Sequence, residues 1–276
     1  MLHHIDIEDT NTWSEAFLES MSDNKNLFIA FHTEETRVDK LAREDIALRM
    51  NRPINPHASV YKDVLTALAD ILREQNIIGY HCTRLAAHEI ENIKNSGMKM
   101  LTKELVEERL QHALENGLLN KEQYRYISNS RYLKNSLDNQ YGHRTNYIWF
   151  CPNRSTLKDG GAVCRLFQSW GGEAVYNGHE EDKNIGHHLK SIGTPCIVKC
   201  TMPMTDIEDD LTYMAKRFVS QFISNDVSFF PHPSAGFDMG IQRDLISSEV
   251  IEIIEFFDPR FLEFTNHHNW YEEERL

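Results

Sequence analysis

At 276 residues and 41% hydrophobic content, the chain has the material for one large domain or a domain with an appendage. It lacks a run of eighteen apolar residues and its start, Met1-Leu2-His3-His4-Ile5-Asp6, lacks the basic and apolar regions of an export signal, so neither a membrane span nor secretion is expected. A formal net charge of −13 argues against broad, nonspecific binding to nucleic acid and leaves room for a local basic groove.

Residues 1–75 read as helical. Trp13-Ser14-Glu15-Ala16-Phe17-Leu18 is amphipathic. The stretch Val64-Leu65-Thr66-Ala67-Leu68-Ala69-Asp70-Ile71-Leu72 places apolar residues at i, i+3, i+4 and i+7. Asn51-Arg52-Pro53-Ile54-Asn55-Pro56 between them is a loop. Next, the nine residues Ile77-Ile78-Gly79-Tyr80-His81-Cys82-Thr83-Arg84-Leu85 predict a buried strand that ends on a polar His-x-Thr step. A helix over 89–96 follows, stopped at Gly97. Thr102 caps a predicted helix over 103–116 with Gly117 as its stop, and a second helix, rich in Tyr and Arg, is predicted over 121–137. Strands are predicted at 147–151, 173–176, 196–201 and 250–257, and a helix at 211–223. This order gives an α+β fold rather than a βαβ array.

Several chemistries lack their motifs. The sequence has no Gly-x-Gly-x-x-Gly, no phosphate-binding Gly-x-x-x-x-Gly-Lys loop and no Gly-x-Ser-x-Gly elbow. Five scattered cysteines without an export signal read as reduced thiols in the cytoplasm. Cys196 and Cys200 would lie roughly 13 Å apart along a strand, and the pairs His187-His188 and His267-His268 would point apart on one, so no zinc site is expected.

Three segments carry the chemistry: His81-Cys82-Thr83, Tyr147-Ile148-Trp149-Phe150-Cys151-Pro152-Asn153-Arg154-Ser155, and Gly171-Gly172-Glu173-Ala174-Val175-Tyr176. Read by residue type, each leaves two alternatives open. His81 is a cleft-edge donor or a satisfied core histidine. The aromatics stack on a ligand or fill the core. Arg154 clamps an anion or joins a surface ion pair, and Glu173 is a catalytic carboxylate or a solvent-facing one.

Taken together, these motifs resemble the histidine-containing ADP-ribosyltransferases, most closely the DarT-type nucleic-acid ADP-ribosyltransferases, over roughly residues 77–200. The departures are Asn153, inserted before the arginine, and Gly172, in place of the usual small residue. The resemblance implies a split-sheet catalytic domain over 76–276 with a helical insertion at about 100–143, following a helical extension over 1–75. It implies NAD as ADP-ribose donor, held by His81, Thr83, Tyr147, Phe150 and Arg154, with Glu173 and Arg154 catalytic and no metal. Position 171 holds glycine where transferases acting on protein side chains often carry Gln or Glu, which points to a nucleic-acid base as acceptor. A toxin or phage-defence setting, with an antitoxin or inhibitor protein as partner, follows from the resemblance alone. The alternatives are an NAD glycohydrolase and an inactive nucleotide- or protein-binding module. Lys121, Arg125, Arg131, Lys134 and Arg144 enrich one stretch in positive charge, either as a guide for a nucleic-acid strand or as an ordinary solvated face.

Overall fold

A computed structural model describes residues 4–138, 144–208, 210–227 and 238–266. The chain opens with a two-residue strand β1 (His4–Ile5), then α1 (Glu15–Asp23), α2 (Lys25–Glu44), α3 (Ile46–Met50) and α4 (Ala58–Arg73). It continues through β2 (Asn76–Leu85), α5 (Ala87–Ser96), α6 (Lys103–Glu115), α7 (Lys121–Asn129), α8 (Arg131–Ser136) and β3 (Ile148–Phe150). There follow α9 (Ala162–Gln168), α10 (Glu173–Tyr176), α11 (Ile185–Ser191), β4 (Thr194–Pro203), α12 (Leu211–Phe222), β5 (Met239–Ile241), β6 (Val250–Glu255) and α13 (Pro259–Thr265). The class is α+β. Among the described residues no helix is long and apolar enough to cross a membrane.

Two units divide the chain, Met1–Ile78 with Met202–Phe237, and Gly79–Thr201 with Asp238–Leu276. The first is helical, because its apolar residues recur at helical spacing. Tyr61, Leu65, Leu68, Ala69 and Leu72 form the buried stripe of α4, which packs against buried Met214, Ala215, Phe218 and Val219 of α12. Each leucine so buried contributes about 1.5–3 kcal/mol. Trp13, Phe17 and Phe218 meet edge to face, with centroids 5.2–5.4 Å apart. The indole N–H of Trp13 donates to Asp6 O at 2.7 Å, satisfying its one polar atom. In this unit β1 pairs in parallel with the start of β2.

The second unit joins sheet and helices. β4 and β6 pair antiparallel, with Ile197 opposite Ile254 and Val198 opposite Ile253, and a bulge at Lys199/Cys200. β3 pairs antiparallel with β5. Reciprocal 2.9 Å hydrogen bonds between Tyr80 and Cys151 set the end of β3 beside β2. A separate core gathers Val106, Leu110 and Ala113 of α6 with Ile127, Leu133, Trp170 and Tyr176. All five cysteines are buried and unlinked, and burial pushes the Cys196 thiol up to about 12.

The structure corrects several expected elements. The strand over 173–176 is a helical turn, because Gly171 and Gly172 take φ of +100° and +71° and turn the chain. The Gly172 carbonyl then accepts from the N–H groups of Val175 and Tyr176, both at 3.0 Å. The single helix over 121–137 is two. Ser130, extended at ψ 131°, ends α7 and caps α8 by accepting from Leu133 N–H at 3.1 Å. His187 and His188 lie in α11 rather than on a strand, where His188 Nε2–H donates to Leu118 O at 2.6 Å. The end of the expected insertion at 139–143 and the pair His267-His268 lie outside the described residues.

Candidate functional site

The second unit contains a cleft built from β2, β3, α6 and the start of α10. Alternation along β2 sends His81, Thr83 and Leu85 to one face. That face borders a chamber of about 340 Å³ shared with His88 and Asn92 of α5. A second chamber of about 190 Å³ continues from it and is lined by Tyr147, Trp149, Phe150, Gly172, Glu173 and Asp238. His81, Thr83, Met98, Lys99, Leu105 and Arg109 border both chambers, which makes them one cleft.

His81 is half-buried and donates from Nδ1 to Trp149 O at 2.8 Å. A carbonyl can only accept, so this bond fixes the tautomer and leaves Nε2 as an acceptor. Burial lowers the imidazole pKa below its ordinary value. The bond to Trp149 O works against the shift, and the Arg109 charge works with it. The ring is therefore neutral at pH 7, with a lone pair available to a hydroxyl donor. Phe150, 2% exposed, stands edge-on beneath it with centroids 6.0 Å apart.

Tyr147 and Trp149 make an aromatic wall, their rings 5.0 Å apart and 30° from parallel. Backbone bonds from Asn146 N to Leu101 O (2.8 Å) and from Leu101 N to Tyr147 O (3.0 Å) tie this segment to the approach to α6. Asn146 adopts φ +65°, a left-handed conformation asparagine tolerates. The Tyr147 hydroxyl is held by the Gln242 amide.

Glu173, the first residue of α10, keeps 27% of its side chain exposed. Arg144 Nε lies 3.1 Å from Glu173 Oε2, while Arg144 Nη2 lies 3.4 Å from Asp238 Oδ2 and its guanidinium sits 5.5 Å above Trp149. A Cβ on Gly172 would meet nothing within 4 Å, so the backbone beside Glu173 is open. A Cβ on Gly171 would stand 2.6 Å from Val175 Cβ.

One buried ion pair stiffens the cleft wall. Glu89, 7% exposed, accepts from Arg109 Nε at 2.6 Å, Trp170 Nε1 at 2.7 Å and Ala86 N–H at 2.8 Å. Burial alone would raise its pKa. The charge and hydrogen bond of Arg109, with the other two donors, outweigh burial and hold the carboxyl below the usual range. Arg109 stacks 5.2 Å from the Trp170 ring, and its Nη2 has no acceptor among the described residues. No spacing signal joins Glu89 to Arg109, which lie twenty residues apart on two helices.

Of the residues singled out in the sequence, His81, Thr83, Tyr147, Phe150 and Glu173 line this one cleft. Arg154 does not. It opens a short 3-10 turn (Arg154–Lys158) with its guanidinium 5.9 Å from the Phe264 ring. The arginines bordering the cleft are Arg109 and Arg144. No family model, curated protein or solved structure matches the chain.

Proposed function

We propose that this chain is an NAD-dependent ADP-ribosyltransferase that modifies a macromolecule, with a nucleic-acid base as its preferred acceptor. The observation that carries the reading is the convergence of His81, Thr83, Tyr147 and Glu173 from three separated segments on one cleft. The toxin or defence setting rests on the motif resemblance.

In this reading the Tyr147–Trp149 wall stacks on the cationic nicotinamide. His81 Nε2 and Thr83 take the ribose hydroxyls, and Arg109 and Arg144 face the phosphates, the part first given to Arg154. The nicotinamide–ribose bond breaks with its electron pair leaving on nicotinamide. Glu173 stabilises the cation that develops on the ribose carbon. An acceptor nitrogen then gives its electron pair to that carbon and passes a proton to Glu173. Arg144 sets the direction of the carboxylate. The 2.6 Å approach at Gly171 leaves no room for a second polar side chain two residues before Glu173, which favours a base over a protein side chain as acceptor.

The test is incubation with NAD labelled on the adenylate, alone and with RNA, DNA or protein. Label on nucleic acid supports the proposal, and label on protein refutes the acceptor assignment. Free ADP-ribose alone assigns the cleft to an NAD glycohydrolase. No turnover under any condition reduces the chain to a binding module.

A further inference from the structure

The helical unit contains a groove that the cleft chemistry does not use. α4 packs against both α2 and α12, and the three helices border a space of about 560 Å³, a size suited to a small molecule. Every residue lining it belongs to the first unit. Each helix presents residues at helical spacing. α2 contributes Phe31, Glu35 and Asp39, and α12 contributes Thr212, Lys216 and Ser220. α4 contributes Tyr61 and Leu65, with Lys62 and Thr66 one position on from each.

One side of the groove is aromatic. The Phe31 ring stacks on Tyr61, with centroids 3.8 Å apart and planes 5° from parallel, and His32 stands edge-on to both. Tyr61 is buried, and its hydroxyl lies 3.1 Å from His32 Nε2. Phe31 is half-buried and lines the groove, so this end of the stack is open to a ligand.

The charges decide which ligand fits. Glu35 and Asp39 are already held, because Arg52 pairs with both and Asn55 Nδ2 donates to Glu35 Oε1 at 2.9 Å. His32 is neutral at pH 7, since burial lowers its pKa to about 4. Lys62 and Lys216 make no ion pair among the described residues. Glu34, Asp63 and Asp210, on or beside these helices, do not line the groove, and Asp210 is engaged in accepting from Thr212 N–H at 2.9 Å. Arg52, Lys62 and Lys216 thus outweigh Glu35 and Asp39 by one positive charge. Thr66 stands one turn from Lys62, and Thr212 and Ser220 one turn on either side of Lys216, so each ammonium has hydroxyl neighbours. An organic cation fits poorly here. It needs an aromatic cage or an unengaged carboxylate, and the parallel stack leaves no cage while Arg52 occupies the acids.

We propose that this groove binds a small aromatic monoanion, such as an aryl carboxylate, with its ring against Phe31 and its charge between Lys62 and Lys216. Binding needs neither NAD nor an acceptor, so its outcome and that of the transfer assay are independent.

Calorimetric titration of the full chain with naphthoate, naphthalenemethanol and naphthylmethylammonium tests it. Naphthoate is expected to bind at least about tenfold more tightly than the neutral alcohol or the cation, because only the anion gains both lysines. Lys62→Met and Lys216→Met, which keep an apolar stem and lose the charge, should each weaken naphthoate binding by about threefold to fivefold, and the double variant by about tenfold or more. Added salt should weaken naphthoate and leave the alcohol unchanged. Circular dichroism melts of the variants separate lost binding from lost folding. Alcohol or ammonium bound as tightly as naphthoate, or no naphthoate binding at millimolar concentration, would overturn the inference. A folded double variant that binds naphthoate like wild type would also overturn it, by placing the anion elsewhere on the chain.

Discussion

Arg144 ties Glu173 to Asp238, contacting one carboxylate through Nε at 3.1 Å and the other through Nη2 at 3.4 Å. An arginine shared this way fixes the direction of Glu173 more than it contributes to stability, since the guanidinium is about half exposed. Glu173→Gln is expected to lower NAD cleavage by about 100-fold or more while leaving NAD affinity within a few-fold of wild type. Arg144→Lys should cost less in cleavage, because a lysine keeps the charge and loses the fork. Steady-state kinetics with calorimetric NAD binding check both, and a Glu173→Gln enzyme with wild-type turnover would remove the residue from the site.

The Glu89–Arg109 pair should behave as one unit. Replacing Glu89 by Gln strands a guanidinium in the cleft wall, and breaking a buried pair costs about 3–5 kcal/mol. Arg109→Gln should cost a similar amount by stranding the carboxylate. The double variant should be markedly less destabilised than the sum of the two. Urea unfolding measures all three, and additive losses would show that the residues are energetically independent.

Two glycines with left-handed backbones should respond differently to alanine. At Gly97, which ends α5 with φ +89°, a Cβ would stand 1.9 Å from Leu245 O, at the backbone bridge between Met98 and Leu245. Gly97→Ala is expected to lose more than about 3 kcal/mol or fail to fold, because backbone cannot step aside. At Gly117, with φ +69° and nothing within 4 Å, alanine should cost only the left-handed penalty of about 1–2 kcal/mol. Thermal denaturation of the two purified variants decides the matter, and equal losses would refute the clash.

The first unit should soften in mild acid. His32 Nε2 lies 3.1 Å from the Tyr61 hydroxyl. Burial lowers the His32 pKa to about 4, against a smaller opposing pull from Glu35. The folded value lies below the unfolded value of about 6.5, so the unfolded chain binds more protons between the two. The stabilising contribution is complete above the unfolded pKa and is lost as pH falls from about 6.5 towards 4, with an upper bound of about 3 kcal/mol. The urea midpoint should drop over that window in wild type and drop less in His32→Gln. Identical pH profiles would assign the sensitivity to other groups.

Local patterns determined much of this protein. The α4 stripe from Tyr61 to Leu72, the apolar run of β2, the Thr102 cap and the stops at Gly97 and Gly117 follow from side-chain period and backbone freedom, properties a short segment owns by itself. The residue types at His81, Thr83, Tyr147 and Glu173 were legible for the same reason, since their chemistry is local. Only tertiary structure decided the rest. A four-residue apolar stretch such as 173–176 has too little length to show a period. It became helical because two left-handed glycines turn the chain and Val175 packs over Gly171. The break at Ser130 depends on α8 packing against α10, and the clamp that joins Glu89, Arg109 and Trp170 spans 81 residues. Which arginines border the cleft, Arg109 and Arg144 rather than Arg154, was equally beyond the sequence. Every arginine carries the same charge, and only the fold determines where that charge is desolvated and what it faces.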